Sequence, residues 1–115
     1  MERLRQRADF LAAAAGARVG VPAFTVQARD RQDPGPVRIG FTVSKKVGTA
    51  VERNRVRRRL RDLVARTPFS RPHCDYVLVG RRAALGRGFD TMLDDLKSAL
   101  KRLDAQLAKR AGTAG

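Results

Sequence analysis

The chain has no tryptophan and only one tyrosine, one histidine and one cysteine among 115 residues. A single Cys74 permits no internal disulfide, which fits a reducing, cytoplasmic setting. His73 and Cys74 are adjacent, so in an extended loop their side chains diverge, and no second histidine or cysteine exists to complete a zinc site. Neither a thiol nucleophile nor a bound metal is expected. Aromatics make up 5% of the chain, too few for base stacking to be the main mode of binding a nucleic acid. No apolar run approaches the roughly 20 residues that cross a bilayer, so no membrane is expected as a partner. Arg3, Arg5 and Arg7 precede the stretch from Phe10 to Ala17 in the manner of a secretory signal. Asp9 interrupts it, however, and only Phe10 and Leu11 are strongly apolar. Acids number 11 and are scattered, with Asp94 and Asp95 on an exposed helix, so no carboxylate cluster marks a two-metal nuclease. The length excludes a multidomain enzyme and predicts one domain over 1–115.

Basic side chains are abundant. Lys and Arg total 25, of which 20 are arginine, for a formal net charge of +14. Such an excess points to a polyanion, and arginine favours planar, bidentate phosphate or base contacts.

Local patterning suggests alternating helices and strands. Met1 to Ala15 reads as a short basic helix with Leu4, Ala8 and Leu11 on one side. Ala23 to Arg29 alternates, with Phe24, Val26 and Ala28 on one face and Thr25, Gln27 and Arg29 on the other. Asp33-Pro34-Gly35-Pro36 is a turn, and Val37 to Ser44 returns as a second strand, so the two make a plausible hairpin in a sheet with one polar face. Thr49 to Arg66 has helical spacing and stops at Thr67-Pro68. Asp75 to Arg81 contains Tyr76-Val77-Leu78-Val79, the pattern of a strand buried on both sides. The last helix starts near Asp90 or Thr91 and carries Leu93, Leu96, Leu100, Leu103 and Leu107 as its core stripe, with Lys97, Lys101, Arg102 and Lys109 facing solvent. Gly86-Arg87-Gly88 is a loop, and 111–115 is expected to be a disordered tail.

The dense signal is the block from Lys45 to Arg61. At about 100° per residue Val56, Leu60, Leu63 and Val64 gather on one side, while Arg53, Arg57, Arg61, Asn54 and Arg58 form a strip beside and opposite it. Like-charged pairs four residues apart cost roughly 0.2 to 0.5 kcal/mol each in an isolated helix. Six of the nine positions from Arg53 to Arg61 are arginine, and Glu52 and Asp62 are the helix's only acids. A phosphate backbone accounts for such a face better than solvation does, and Lys45 and Lys46 extend it toward the sheet. Asn54 can cap, brace an arginine or pair with a base edge. Phe10 reads either as core or as a base-stacking residue.

Ser44-Lys45-Lys46-Val47-Gly48, then Ala50-Val51, then Arg53-Asn54-Arg55 closely resembles the basic-helix motif of the bacterial ribonuclease P protein family. Leu4 to Phe10, Arg38 to Ser44 and Asp75 to Arg81 resemble that family's opening helix, central strand and final strand. The resemblance implies an α+β fold, a single α/β sandwich with a four-stranded mixed sheet and a left-handed βαβ crossover, like the second domain of ribosomal protein S5. It also implies a function: assisting a catalytic RNA, with magnesium held chiefly by that RNA, to remove the 5′ leader of precursor tRNA. The protein would supply no catalytic residue and would act as a monomer in a 1:1 ribonucleoprotein. RNA-binding residues carried over are Arg53, Asn54, Arg57, Arg58 and Arg61, and Lys45, Lys46 and Arg55 complete the expected RNA-binding set. A leader cleft carries over to Phe10; Ala14 and Gln27 stand where many members have a Phe and a Tyr, so the expected cleft is Phe10, Ala14, Thr25 and Gln27, with Thr25 and Gln27 offering polar contacts. The alternative is a stand-alone RNA-binding or ribosomal-type protein, for which the same charge and arginine helix would suffice.

Overall fold

The computed structural model describes residues 2–69 and 71–113. In chain order the elements are β1 (Glu2–Arg3), α1 (Arg7–Ala14), β2 (Ala17–Gly20), β3 (Phe24–Asp30), β4 (Arg38–Thr42), α2 (Ala50–Ala65), β5 (Cys74–Gly80) and α3 (Phe89–Thr113), with 3₁₀ turns at Lys45–Val47 and Arg82–Leu85. They form one five-stranded mixed sheet in the order β1-β4-β5-β3-β2. β5 runs parallel to β4 and antiparallel to β3, and α2 is the crossover between β4 and β5.

The alternation in β3 and β4 sets the two faces. Phe24, Val26 and Ala28 lie opposite Gly80, Leu78 and Tyr76, and Ile39 and Phe41 opposite Tyr76 and Leu78. That face is covered by α2 and α3, whose Val56, Leu60, Leu63, Leu96 and Leu103 are fully buried. At Gly80 a Cβ would come within 2.7 Å of Val56 Cγ1, so the missing side chain is what lets α2 lie this close to the sheet. Burying an aliphatic side chain of this size stabilises by roughly 1.5 to 3 kcal/mol. Four such residues on α2 outweigh several like-charge pairs at a few tenths each.

Several expectations change. Five strands replace four, because the N-terminal segment adds a short edge: Leu4 N–H donates to Ile39 O at 2.8 Å, and β1 pairs parallel with β4. The first helix is therefore only Arg7–Ala14; Leu4 is buried outside it, and Leu11 is 59% exposed rather than part of a core side. β3 and β4 are not a hairpin, since β5 inserts between them and satisfies both ladders. The glycines at 16 and 20 do not merely interrupt the pattern: Ala17–Gly20 is a strand on β3, with Ala17 and Val19 buried. At the other end α3 begins at Phe89, which puts Asp90 inside the first turn. Residues 111–113 of the expected tail continue α3, and 114–115 lie outside the described residues. No described helix is long and apolar enough to cross a membrane.

Candidate nucleic-acid interface

α2 starts where the sequence says it should. Thr49 Oγ1 accepts from Glu52 N–H (3.2 Å) and Glu52 Oε1 accepts from Thr49 N–H (3.0 Å), which satisfies two otherwise orphaned donors reciprocally. The Thr-x-x-Glu spacing carried that signal, and the sequence reading passed over it. Arg82 donates to Glu52 (3.0 Å) and to Val47 O (2.8 Å), tying the turn before α2 to the turn after β5. The Thr49 backbone N–H, then Arg82, hold the Glu52 carboxyl below the usual glutamate value.

From that start Val56, Leu60, Leu63 and Val64 face the core as expected, and Arg53 and Arg57 lie half-buried along the stripe's edge. Asn54, Arg55, Arg58 and Arg61 are exposed, as are Lys45 and Lys46 on the 3₁₀ turn that leads into the helix. Asn54 braces an arginine: Arg57 donates to its Oδ1 at 3.1 Å. Arg55 falls on the flank away from Arg57 and Arg61, separate from the main strip. Arg59 belongs to the scaffold, donating to Leu85 O (3.3 Å) and Arg87 O (2.7 Å). Among the described residues ten ion pairs form, and none includes Lys45, Lys46 or any arginine of α2. The helix thus presents a dense positive surface that no carboxylate among the described residues pairs with.

The second surface is the other face of the sheet. By alternation and register Thr25, Gln27 and Arg29 of β3 share it with Val79, Val77 and Asp75 of β5 and with Arg38, Gly40 and Thr42 of β4. α1 lies across part of this face through Ala13, which clusters with Leu4 and Val77, while Phe10 and Val79 pack half-buried against them. The Phe10 ring is seated over Gly40, where a Cβ would come within 2.6 Å of Cε1. Thr25 accepts from Arg81 Nη2 at 3.0 Å, which adds a guanidinium to the open side of this face. Phe10, Thr25 and Gln27 are therefore gathered on one face, each partly accessible. Ala14 is exposed one helical turn beyond Phe10.

What holds α1 there was not anticipated. Asp75 is fully buried and accepts from Arg38 Nε and Nη2 (both 2.7 Å), from Arg29 (3.1 Å) and from Arg31. Asp9 of α1 reaches the same guanidiniums, Arg29 at 3.3 Å and Arg38 at 3.4 Å. Burial alone would raise the Asp75 pKa, but hydrogen bonds from Arg38, Arg31 and Arg29 overcome it and hold it below the ordinary value. The acids are thus not all scattered, as two of them converge on a shared pair of arginines. A charge at the head of an otherwise apolar strand was the available hint, since buried charges are kept only when paired.

Among the described residues no group of three His, Cys, Asp or Glu could hold a metal ion, and Asp9 and Asp75 are already engaged by guanidiniums. His73 is not extended: it turns with φ 68°, and its Nδ1 lies 3.1 Å from Gly35 O. Cys74 begins β5, fully buried in the core, where burial pushes its thiol pKa up and disfavours the reactive thiolate.

A family model described as Ribonuclease P matches residues 1–104. The ribonuclease P protein component of Ruegeria pomeroyi is 50% identical over 108 residues, covering 89% of this chain and 86% of the relative. The RNase P protein from Thermotoga maritima has a similar structure, with a TM-score of 0.73 at 30% identity over 89% of this chain and 97% of its own. That of Staphylococcus aureus gives a TM-score of 0.73 at 26% identity over 92% and 98%.

Proposed function

The chain belongs to the ribonuclease P protein family and is the RNA-binding subunit of that enzyme; from this premise we propose how its two surfaces divide the work. α2, with Lys45 and Lys46, binds the phosphate backbone of the catalytic RNA. The face between α1 and the sheet takes the 5′ leader of precursor tRNA. The observation that carries the first assignment is the row of arginines on α2 with no carboxylate partner among the described residues. Binding there exchanges condensed counterions for guanidiniums, a large entropic gain that falls with salt.

In the cleft Phe10 offers a ring to a leader base, and Thr25 and Gln27 offer polar contacts where an aromatic side chain is absent. Arg81, positioned by Thr25, sits beside the passing phosphates. These residues bind and orient a single strand, and none is placed as an acid or base. Magnesium, held by the RNA, supplies the hydrolytic chemistry when bound. The working assembly is a cytoplasmic complex of one protein with one RNA.

Reconstitution tests this reading. Precursor tRNA should be cleaved at the 5′ end only when protein and cognate RNA are combined, with the protein lowering the substrate concentration needed. Cleavage by the protein alone would make it a nuclease, and no effect of protein on the RNA's reaction would make it a stand-alone binding module.

A further inference from the structure

A shallow pocket of about 250 Å³ opens between α2 and the β1–β4 side of the sheet, on the core side, lined by Glu2, Arg3, Ile39, Phe41, Arg61, Val64 and Ala65. Ile39 and Val64 are buried, and Phe41 is half-buried, so the floor is apolar with one aromatic ring. Arg61 and Arg3 are exposed at the rim, and neither forms an ion pair among the described residues. The cleft on the opposite face shares none of these residues.

Resting on the reading of α2 as the surface for the catalytic RNA, we infer that this pocket receives one unstacked nucleobase of that RNA. Arg61 is both the last member of the Arg53, Arg57, Arg61 row and part of the pocket rim, so a strand whose phosphates follow the row arrives at the opening. An apolar floor beneath two guanidiniums matches a nucleotide, whose flat base is flanked by phosphates on both sides. The volume is below the roughly 300 to 1,000 Å³ typical of drug-sized ligands, which suits one ring system and not an inserted helix. Phe41 supplies a face or edge for the base, and base–aromatic contacts are sequence-tolerant. Glu2 offers hydrogen-bond acceptors at the rim, which suit a base donor, either an exocyclic amino group or a ring N–H.

Two variants separate the pocket from the strip. Ala65→Leu places bulk at an exposed position of the rim, and Phe41→Leu removes the ring while keeping an apolar side chain; Ala105→Leu, on α3, is the control. Each protein is bound to the catalytic RNA across a salt series, and the complex is probed with dimethyl sulfate at adenine N1 and cytosine N3 and with a carbodiimide at guanine N1 and uracil N3. A melt confirms folding of each variant. Ala65→Leu and Phe41→Leu should weaken binding by on the order of five- to a hundredfold with the parent's salt slope unchanged. One nucleobase protected by the parent should regain reactivity, and the control should match the parent. A steep parent slope with both variants within about twofold of it would overturn the pocket alone. A flat parent slope would overturn the strip reading and the pocket with it, and protection found only on precursor tRNA would also overturn this assignment.

Discussion

Replacing Asp75 by Asn keeps the shape of the side chain and removes the charge on which three arginines converge. Arg38 donates to both carboxylate oxygens at 2.7 Å, so the new amide nitrogen would face a donor instead of receiving one. Removing one member of a buried ion pair commonly costs about 3 to 5 kcal/mol, because the partner charge stays behind. Here the partners differ. The Arg31 side chain is only 7% exposed and cannot rehydrate well, whereas Arg29 and Arg38, at 32% and 24%, can do so in part and keep Asp9. The low end, about 3 kcal/mol, is therefore expected. For a domain of this size that is a fall in melting temperature of about 12 °C, readable by circular dichroism. Asp33→Asn is the internal comparison: it pairs with the same Arg31, but with a carboxylate that is 46% exposed, and should shift the melt far less. The pH dependence follows from the direction of the Asp75 shift. Its folded pKa lies below the unfolded value of 3.8, so its contribution is fully present above that pH and is lost as pH falls through the folded value. The gap between parent and Asp75→Asn should thus be full at pH 7 and close only below about pH 4. A melting temperature within about 3 °C of the parent at pH 7 would refute the claim that this cluster anchors α1.

Three further outcomes follow from the two surfaces. Arg57→Ala with Arg61→Ala should weaken RNA binding and reduce the log–log salt slope by about 0.7 to 0.9 per lost phosphate contact, with stability held; an unchanged slope in a folded variant would move the RNA surface elsewhere. Gly40→Ala puts a methyl 2.6 Å from the Phe10 ring and should, like Phe10→Ala, weaken binding of precursor tRNA more than of mature tRNA. Equal losses for both tRNAs, with a large drop in melting temperature, would make Phe10 purely structural. His73→Ala and Cys74→Ser should leave turnover by the reconstituted enzyme within about threefold, although the buried Cys74→Ser will melt lower. A positioned acid or base would instead cost about 10² to 10⁴ in rate with assembly intact.

The arginine helix was legible from residue order because its determinants are local. A 3.6-residue period and a terminating Thr-Pro act within a few turns, and the same period that buries Val56 and Leu60 turns Arg58 and Arg61 outward. The alternation of β3 and the apolar run of β5 were legible for the same reason. Which strands pair is a different kind of fact. Asp33 to Pro36 looks like a hairpin turn, yet β5, more than thirty residues on, offers both β3 and β4 a longer apolar ladder, and the turn becomes a connection between strands that never touch. Residues 2 and 3 have too little pattern to read as a strand and become one only because β4 leaves an open edge. Phe10 could be core or contact until Gly40 and Val79 fixed its seat, and Asp9, Arg29, Arg38 and Asp75 carry no shared spacing at all. Side-chain period is set by the backbone of one segment, so sequence by itself determined the helix and its charge. The cleft, its anchor and the pocket beside Arg61 arise where segments distant in the chain meet, and only tertiary packing decides that.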